Sequence, residues 1–433
     1  MRVTCVLGTR PEAIKLAPVI LALRARGIGC DIVSTGQHRE MQGQALAGFG
    51  LAPDHDLALM RPDQTLTHLT AGALEGLAPL LPALRPDWLL VQGDTTTAFA
   101  AALAGFYAGV RVGHVEAGLR SWNPLAPWPE EANRSLVARL ATRHFAPTPL
   151  AAKNLRREGI SPRAIAVTGN TGIDALLMAA ARVAGDAELA ARFAFLDPKR
   201  RLVLVTGHRR ENFSGGLDRI ARAVAALAAR PDVQVVFALH MNPRAEAPAR
   251  AALGHLPNVH LLPPQGHAEF VWLMKRAHLV VTDSGGVQEE APSLGRPVLV
   301  TRNESDRPEA ITAGTAKLVG TDGATLLREA VRLLDDEEAW RRMARAENPY
   351  GDGQAASRIV EALLAEGARA PAIALPLMED THPAKPMFRG SLDAAGIRPQ
   401  GGRRRPLHLP AGCAGGAAKP SRRRRRPALE GTD

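Results

Sequence analysis

Cysteine is scarce, with three in the whole chain. Cys5, Cys30 and Cys413 are odd in number and widely scattered, which excludes a disulfide framework or a zinc site and fits a reducing compartment. No apolar run approaches the ~20 residues needed to span a bilayer. No charged-then-apolar leader precedes the first strand-like run at 3–7. The expectation is a soluble, cytoplasmic chain with no membrane role. Aromatics are also sparse, at 4%, beside abundant Ala, Leu, Val, Arg and Gly, a genome-wide bias that separates no functional classes.

The charge is unevenly placed. A net charge of +11 over 433 residues would suggest a nucleic-acid partner. Residues 367–433, however, carry 13 Lys or Arg against 5 Asp or Glu, a net of +8, which leaves +3 for residues 1–366. The remainder is close to neutral, so no nucleic-acid partner is expected. Beyond Gly367 the sequence turns to Ala, Pro, Gly and Arg, with basic runs at 403–405 and 422–426, and hydrophobic periodicity is lost. This tail reads as disordered.

Before the tail, short apolar runs alternate with longer helical patterns. Runs at 3–7, 31–34, 88–91, 111–115, 145–147 and 165–167 read as buried strands, with helices at 66–84, 96–107 and 133–141 between them. The pattern restarts with strands at 201–205, 233–239, 259–262, 279–282 and 297–301, and helices at 324–334 and 354–366 close it. Strand–helix alternation implies parallel sheets covered by helices on both faces. The fold class expected is α/β, with two doubly wound Rossmann-like domains facing a cleft. Their expected limits are 1–178 and 179–366, with the tail at 367–433.

In open α/β sheets, ligands gather beyond the carboxyl ends of the strands, where helix N-termini and short loops converge. Arg10 and Lys15 follow the first strand through Gly8-Thr9, Asp94 follows Gln92-Gly93, and Glu116 follows His114-Val115. In the second half His208 follows Thr206-Gly207, and Ser284-Gly285-Gly286 follow Thr282-Asp283. Some of these have ordinary explanations. Asp94, ahead of Thr95-Thr96-Thr97, reads equally as a helix N-cap. Glu130 and Glu131, after Pro129, read as complements to a helix dipole, and Phe270 and Trp272 as core. Glu116 has no capping role, and His208 lies in a dense polar loop, so both favour function. Ser284-Gly285-Gly286 suits a phosphate, because glycines allow close approach and a helix N-terminus supplies free N–H donors. It has neither Walker nor GxGxxG spacing. Glu290 is placed for ribose hydroxyls, and Arg307 is a candidate anion contact.

Together these segments resemble the non-hydrolysing UDP-N-acetylglucosamine 2-epimerases of bacteria across about residues 1–366. The matching runs include Gly8-Thr9-Arg10-Pro11-Glu12-Ala13-Ile14-Lys15, Gln37-His38-Arg39-Glu40-Met41, Gly93-Asp94-Thr95-Thr96-Thr97 and His114-Val115-Glu116-Ala117-Gly118-Leu119-Arg120. Trp128-Pro129-Glu130-Glu131-Ala132-Asn133-Arg134, Gly207-His208-Arg209-Arg210-Glu211-Asn212, Asp283 to Ala291, Arg307-Pro308-Glu309-Ala310 and Asn348-Pro349-Tyr350-Gly351-Asp352-Gly353 follow in order.

The resemblance implies a glycosyltransferase-B-type fold, a homodimer, and no metal, nicotinamide or other cofactor. It implies that Asp94, Glu116, Glu130 and His208 are catalytic. Arg10, Lys15, Gln265, Phe270, Ser284, Gly285, Gly286, Glu290 and Arg307 would bind UDP. A second, activating UDP-N-acetylglucosamine would use Gln37, Arg210 and His240. Gln92 stands where a histidine is common, and His267 where a tyrosine is common; neither displaces a proposed catalytic group. The tail has no counterpart.

The implied reaction is reversible inversion at carbon 2 of UDP-N-acetylglucosamine. UDP is eliminated to a glycal and then re-added, giving UDP-N-acetylmannosamine for surface polysaccharides. The competing readings are a hydrolysing 2-epimerase, a UDP-sugar glycosyltransferase and a silent nucleotide-sugar sensor. The run Pro11-Glu12-Ala13-Ile14-Lys15 favours the non-hydrolysing kind, the clustered acids count against a transferase, and intact Asp94, Glu116 and His208 count against a silent sensor.

Overall fold

The runs marked as strands by hydrophobicity all form strands, and all pair in parallel. The computed structural model describes residues 1–367 except 38, 62–63, 208–214, 240–242 and 306. The first sheet contains β1 (Arg2–Leu7), β2 (Gly29–Ser34), β3 (His55–Asp56), β4 (Trp88–Gln92), β5 (Arg111–Val115), β6 (Arg143–Ala146) and β7 (Ile165–Val167). The second contains β8 (Arg201–Thr206), β9 (Val233–Ala238), β10 (Val259–Leu262), β11 (Leu279–Thr282), β12 (Val298–Val300) and β13 (Ala316–Leu318). β3 and β13 were not expected: at two and three residues, and with polar members, they carry no hydrophobic run to detect.

Side chains alternate between the faces of each sheet, as a strand's period of two requires. On β1, Val3, Cys5 and Leu7 enter one core while Val6 enters the opposite one. On β8, Val203 and Val205 face one core, Leu202 and Leu204 the other. Both faces are apolar because helices cover both, so the strands read as continuous hydrophobic runs.

The strand orders are β3-β2-β1-β4-β5-β6-β7 and β10-β9-β8-β11-β12-β13. In each sheet the winding reverses between the first strand and the one entering beside it. That leaves a crevice beyond the carboxyl ends of β1 and β4, and another beyond β8 and β11.

Two helices link the halves. Helix Thr171–Arg182 lays Ile173 and Leu176 against the second sheet's core, while its Ala175 joins the first. Helix Ala355–Glu366 returns the chain to the first half, where Ile359, Val360 and Leu363 pack with Leu16 and Ile20. The two helices are tied directly: Asp174 accepts the N–H groups of Ala355 and Ala356 at 3.2 and 2.8 Å. Beside them Gly169 (φ +90°) passes Gly351 so closely that a Cβ there would lie 3.4 Å from the Gly351 Cα. Cys5 and Cys30, far apart in sequence, sit on neighbouring strands as free thiols with sulfurs 3.7 Å apart.

Candidate active site

The first crevice is built around a buried acid that ties its loops together. Glu12, in the first turn of helix Arg10–Ala25, accepts the N–H of Gly8 at 3.0 Å and of Thr9 at 2.7 Å. Its other oxygen accepts the Thr95 hydroxyl at 2.6 Å, joining the loop after β1 to the loop after β4. Burial raises the Glu12 carboxyl, against these hydrogen bonds. The approach is close enough to demand glycine at position 8, where a Cβ would collide with the hydroxyls of Thr35 and Thr97.

Thr95, not Asp94, is the N-cap of helix Thr96–Tyr107; its hydroxyl accepts the Ala98 N–H at 3.0 Å. The capping explanation for Asp94 therefore fails, and its carboxylate is free for other work. It pairs with Arg134 at 2.5 Å, and Asn133 donates to its backbone carbonyl at 3.0 Å. Burial raises the Asp94 carboxyl, with Glu116 and Glu130 adding to the effect while Arg134 and Lys15 oppose it.

Glu116 follows β5 in a left-handed conformation (φ +64°), uncommon for a non-glycine residue and often found at working sites. Its buried carboxylate receives the Lys15 ammonium at 2.5 Å and the side-chain amide of Gln92. Gln92, a departure from the family pattern, therefore touches a proposed catalytic group. Burial pulls Lys15 down, but Glu116 and then Glu289 outweigh it, so the ammonium is held above its ordinary range. On the same rim His114 is buried, bonded through Nε2 to the Gly93 carbonyl at 2.7 Å and pushed down to about 3, so it is neutral.

Glu130 and Glu131 separate in role. Both lie in the first turn of helix Glu130–Leu140. Glu131 is buried and accepts the N–H groups of Ser121 and Trp122 at 3.0 and 3.1 Å. Glu130 is partly exposed and lies within electrostatic reach of Asp94.

In the second half, Ser284 is the N-cap of the short helix Gly285–Glu290, whose first N–H groups have no partner within the helix. Glu289 is buried and bound by Arg307 and by Asn170, the latter at 2.8 Å. Glu290 is partly exposed, and burial with Glu289 beside it pushes its carboxyl up to about 7 against Lys15 and Arg10. Lys15 and Arg10 belong to the first half, so the two crevices share one electrostatic environment.

The remaining expected residues are more dispersed. Gln265 follows β10, its Nε2 on the Pro263 carbonyl at 2.6 Å and its Oε1 buried without a partner. Phe270 packs against the core of the second sheet. Arg10 lines a cavity of about 400 Å³ with Phe49, Met178, Arg182 and His267. Gln37 accepts the Thr97 hydroxyl at 2.9 Å. His208, Arg210 and His240 lie outside the described residues. Sequence reasoning assigned no role to Gln92, Arg134 or Glu289. The position of Arg134, one turn beyond Glu130 on the same helix, was the available signal. Among the described residues no group of three or more His, Cys, Asp or Glu is arranged to hold a metal, and no helix is long and apolar enough to cross a membrane.

Comparison with known proteins decides the family. A family model described as UDP-N-acetylglucosamine 2-epimerase matches residues 21–364. The chain belongs to that family. The UDP-N-acetylglucosamine 2-epimerase of Escherichia coli (strain K12) is 52% identical to it over 369 residues, covering 84% of this chain and 98% of that one. The crystal structure of UDP-GlcNAc 2-epimerase from Neisseria meningitidis, bound to UDP-GlcNAc, superposes with a TM-score of 0.78 at 45% identity. It covers 84% of this chain and 100% of the other. A glycosyltransferase from Streptomyces nogalater, at 19% identity and a TM-score of 0.54 over 83% of this chain and 99% of its own, shares the fold alone. The expected family and the two-domain Rossmann-like architecture of this epimerase-family chain therefore hold.

Proposed function

We propose that this protein interconverts UDP-N-acetylglucosamine and UDP-N-acetylmannosamine without hydrolysis. A base removes the proton on carbon 2 while the carbon 1–oxygen bond breaks, leaving UDP and a glycal with a carbon 1–carbon 2 double bond. A β-phosphate oxygen of UDP then re-adds to carbon 1, and a proton is delivered to the opposite face of carbon 2. Two faces require at least two acid–base groups.

The observation that carries this reading is the set of carboxylates at the first crevice. Asp94 and Glu116 each have their own cation, and Glu130 lies within reach. In this reading Lys15 and Arg10 stabilise charge on the departing diphosphate, together with the N-terminus of helix Gly285–Glu290. Ser284, Gly285, Gly286, Gln265, Phe270, Glu290 and Arg307 complete the UDP site in this reading, and His208 assists the chemistry. Closure of the halves would keep water from the glycal.

The same proposal includes a cytoplasmic homodimer with domains at 1–178 and 179–366. Exposed Phe106 and Tyr107, at the end of helix Thr96–Tyr107, are compatible with a covered face. It includes a second UDP-N-acetylglucosamine acting as activator through Gln37, Arg210 and His240, and a product that feeds polysaccharide assembly.

Incubation with UDP-N-acetylglucosamine alone tests the central claim. UDP-N-acetylmannosamine should form with deuterium at carbon 2 in heavy water. Free N-acetylmannosamine with UDP would mean a hydrolysing enzyme, and no product without an acceptor would mean a transferase.

A further inference from the structure

The helix that supplies Glu130 also supplies Asp94 with two partners, only one of which touches its carboxylate. Asn133 holds the Asp94 backbone carbonyl at 3.0 Å. Arg134 holds the carboxylate at 2.5 Å through Nη2, and its Nη1 lies 3.4 Å from Glu131. Glu131 is itself immobilised: its side chain is 4% exposed and accepts the N–H groups of Ser121 and Trp122. That loop is pinned from its other side by Arg120, whose guanidinium makes a two-pronged contact with Glu158. A guanidinium offers donors in a rigid planar fork, so fixing one prong on Glu131 fixes the direction of the other.

We propose that Arg134 is a positioning residue for the reaction, aiming the Asp94 carboxylate into the crevice and keeping a positive charge against it. The proposal rests on the reading of Asp94 as an acid–base group. It adds that Asp94 depends on a cation anchored by the 121–122 loop. Among the described residues, the charged groups facing Asp94 are Arg134 and Glu130 from helix Glu130–Leu140, Glu116 just after β5, and Lys15 from helix Arg10–Ala25. Two are acids that disfavour its ionised form and two are cations that favour it. Lys15 is already engaged with Glu116 at 2.5 Å, which leaves Arg134 as the cation in direct contact. Without Arg134, Asp94 would face two carboxylates with only the shared Lys15 opposing them.

The test uses the full chain with Arg134→Met, Arg134→Lys, Asp94→Asn and the Asp94→Asn/Arg134→Met double variant. Arg134→Met should lower kcat by about tenfold or more with little change in KM, the size of a misplaced acid–base group. The limb of the kcat/KM pH profile that Asp94 governs should move to higher pH by roughly one unit or more, whether Asp94 acts as base or acid. Arg134→Lys should return that limb toward wild type while recovering only part of kcat, since lysine restores charge but not the fork. In the Asp94→Asn background the methionine change should cost little more, because Arg134 acts through Asp94. Wild-type kcat and pH profile in Arg134→Met, or fully additive losses in the double variant, would overturn the proposal. Wild-type turnover in Asp94→Asn would instead overturn the reading of Asp94 itself. If Arg134→Met does not fold, as judged by its melting and UDP binding, Arg134→Gln decides through the same limb shift.

Discussion

Glu290 ties the proposed ribose site to a measurable pH dependence. Burial, with Glu289 alongside, pushes its carboxyl from an ordinary 4.5 up to about 7. A carboxyl raised in the folded state keeps its proton after the unfolded chain has released its own. Between pH 4.5 and about 7 the unfolded state therefore binds fewer protons, and stability falls as the pH rises. At ~1.4 kcal/mol per pH unit the interval sets a ceiling of about 3 kcal/mol. Solvent around the partly exposed side chain reduces this to roughly 1–2 kcal/mol.

Glu290→Gln keeps the shape and removes the titration. It should match wild type below about pH 4.5 and exceed it by roughly 1–2 kcal/mol near pH 8, a rise of a few degrees in Tm. Function should move the opposite way. An ionised carboxylate accepts two ribose hydroxyls, so wild-type UDP affinity should strengthen as the pH rises through about 7. The variant should retain only the titration of UDP itself and bind about tenfold or more weakly near pH 8, the value of a charged hydrogen bond. Calorimetric titration with UDP and thermal melting across this range measure both effects. Parallel pH profiles for the two proteins, in melting and in binding, would refute the reasoning.

Asp94→Asn and Glu116→Gln should each lower turnover by ~100-fold or more while UDP affinity changes little, because the lost interaction acts on the transition state. Steady-state kinetics with a UDP titration checks this. Gly285→Val, at the start of helix Gly285–Glu290, should weaken UDP binding by more than tenfold, or about 1.4 kcal/mol; wild-type affinity would move the diphosphate elsewhere. Truncation after Gly367 retains the bond from Arg111 to the Gly367 carbonyl at 3.0 Å and should leave turnover and Tm nearly unchanged. A collapse of either would give the tail a structural role.

The strands were legible because a parallel sheet covered on both faces must be apolar along its whole length, and such runs stand out even in an alanine-rich chain. β3 and β13 were not, since their pairing comes from neighbours rather than from their own residues. Helix Glu130–Leu140 begins three residues earlier than its apolar pattern suggests, because its first turn is acidic and pays for itself at the N-terminus rather than in the core. The return of helix Ala355–Glu366 to the first half depends on a long-range cap, Asp174 on Ala355 and Ala356, that no local pattern announces.

At the candidate site, strand ends told which residues reach the rim but not what each would meet there. Asp94 was ambiguous until Thr95 proved to be the N-cap, a distinction of one residue that depends on backbone conformation rather than composition. The partners come from elements far away in sequence: Lys15 to Glu116, Arg134 to Asp94, and Asn170 to Glu289. These pairings determine charge. Lys15 alone in a buried site would tend to lose its proton, yet it meets Glu116 on its own half and feels Glu289 on the other, and its ammonium is favoured. Burial raises the Asp94 carboxyl, and the two acids facing it add to this against the two cations, Arg134 and Lys15. The crevice therefore holds a well-anchored cation, Lys15, near an Asp94 carboxyl whose proton affinity burial has raised. Moving a proton from one face of a carbon to the other needs acid–base groups set in such an environment, which arises from tertiary contacts that residue order alone does not specify.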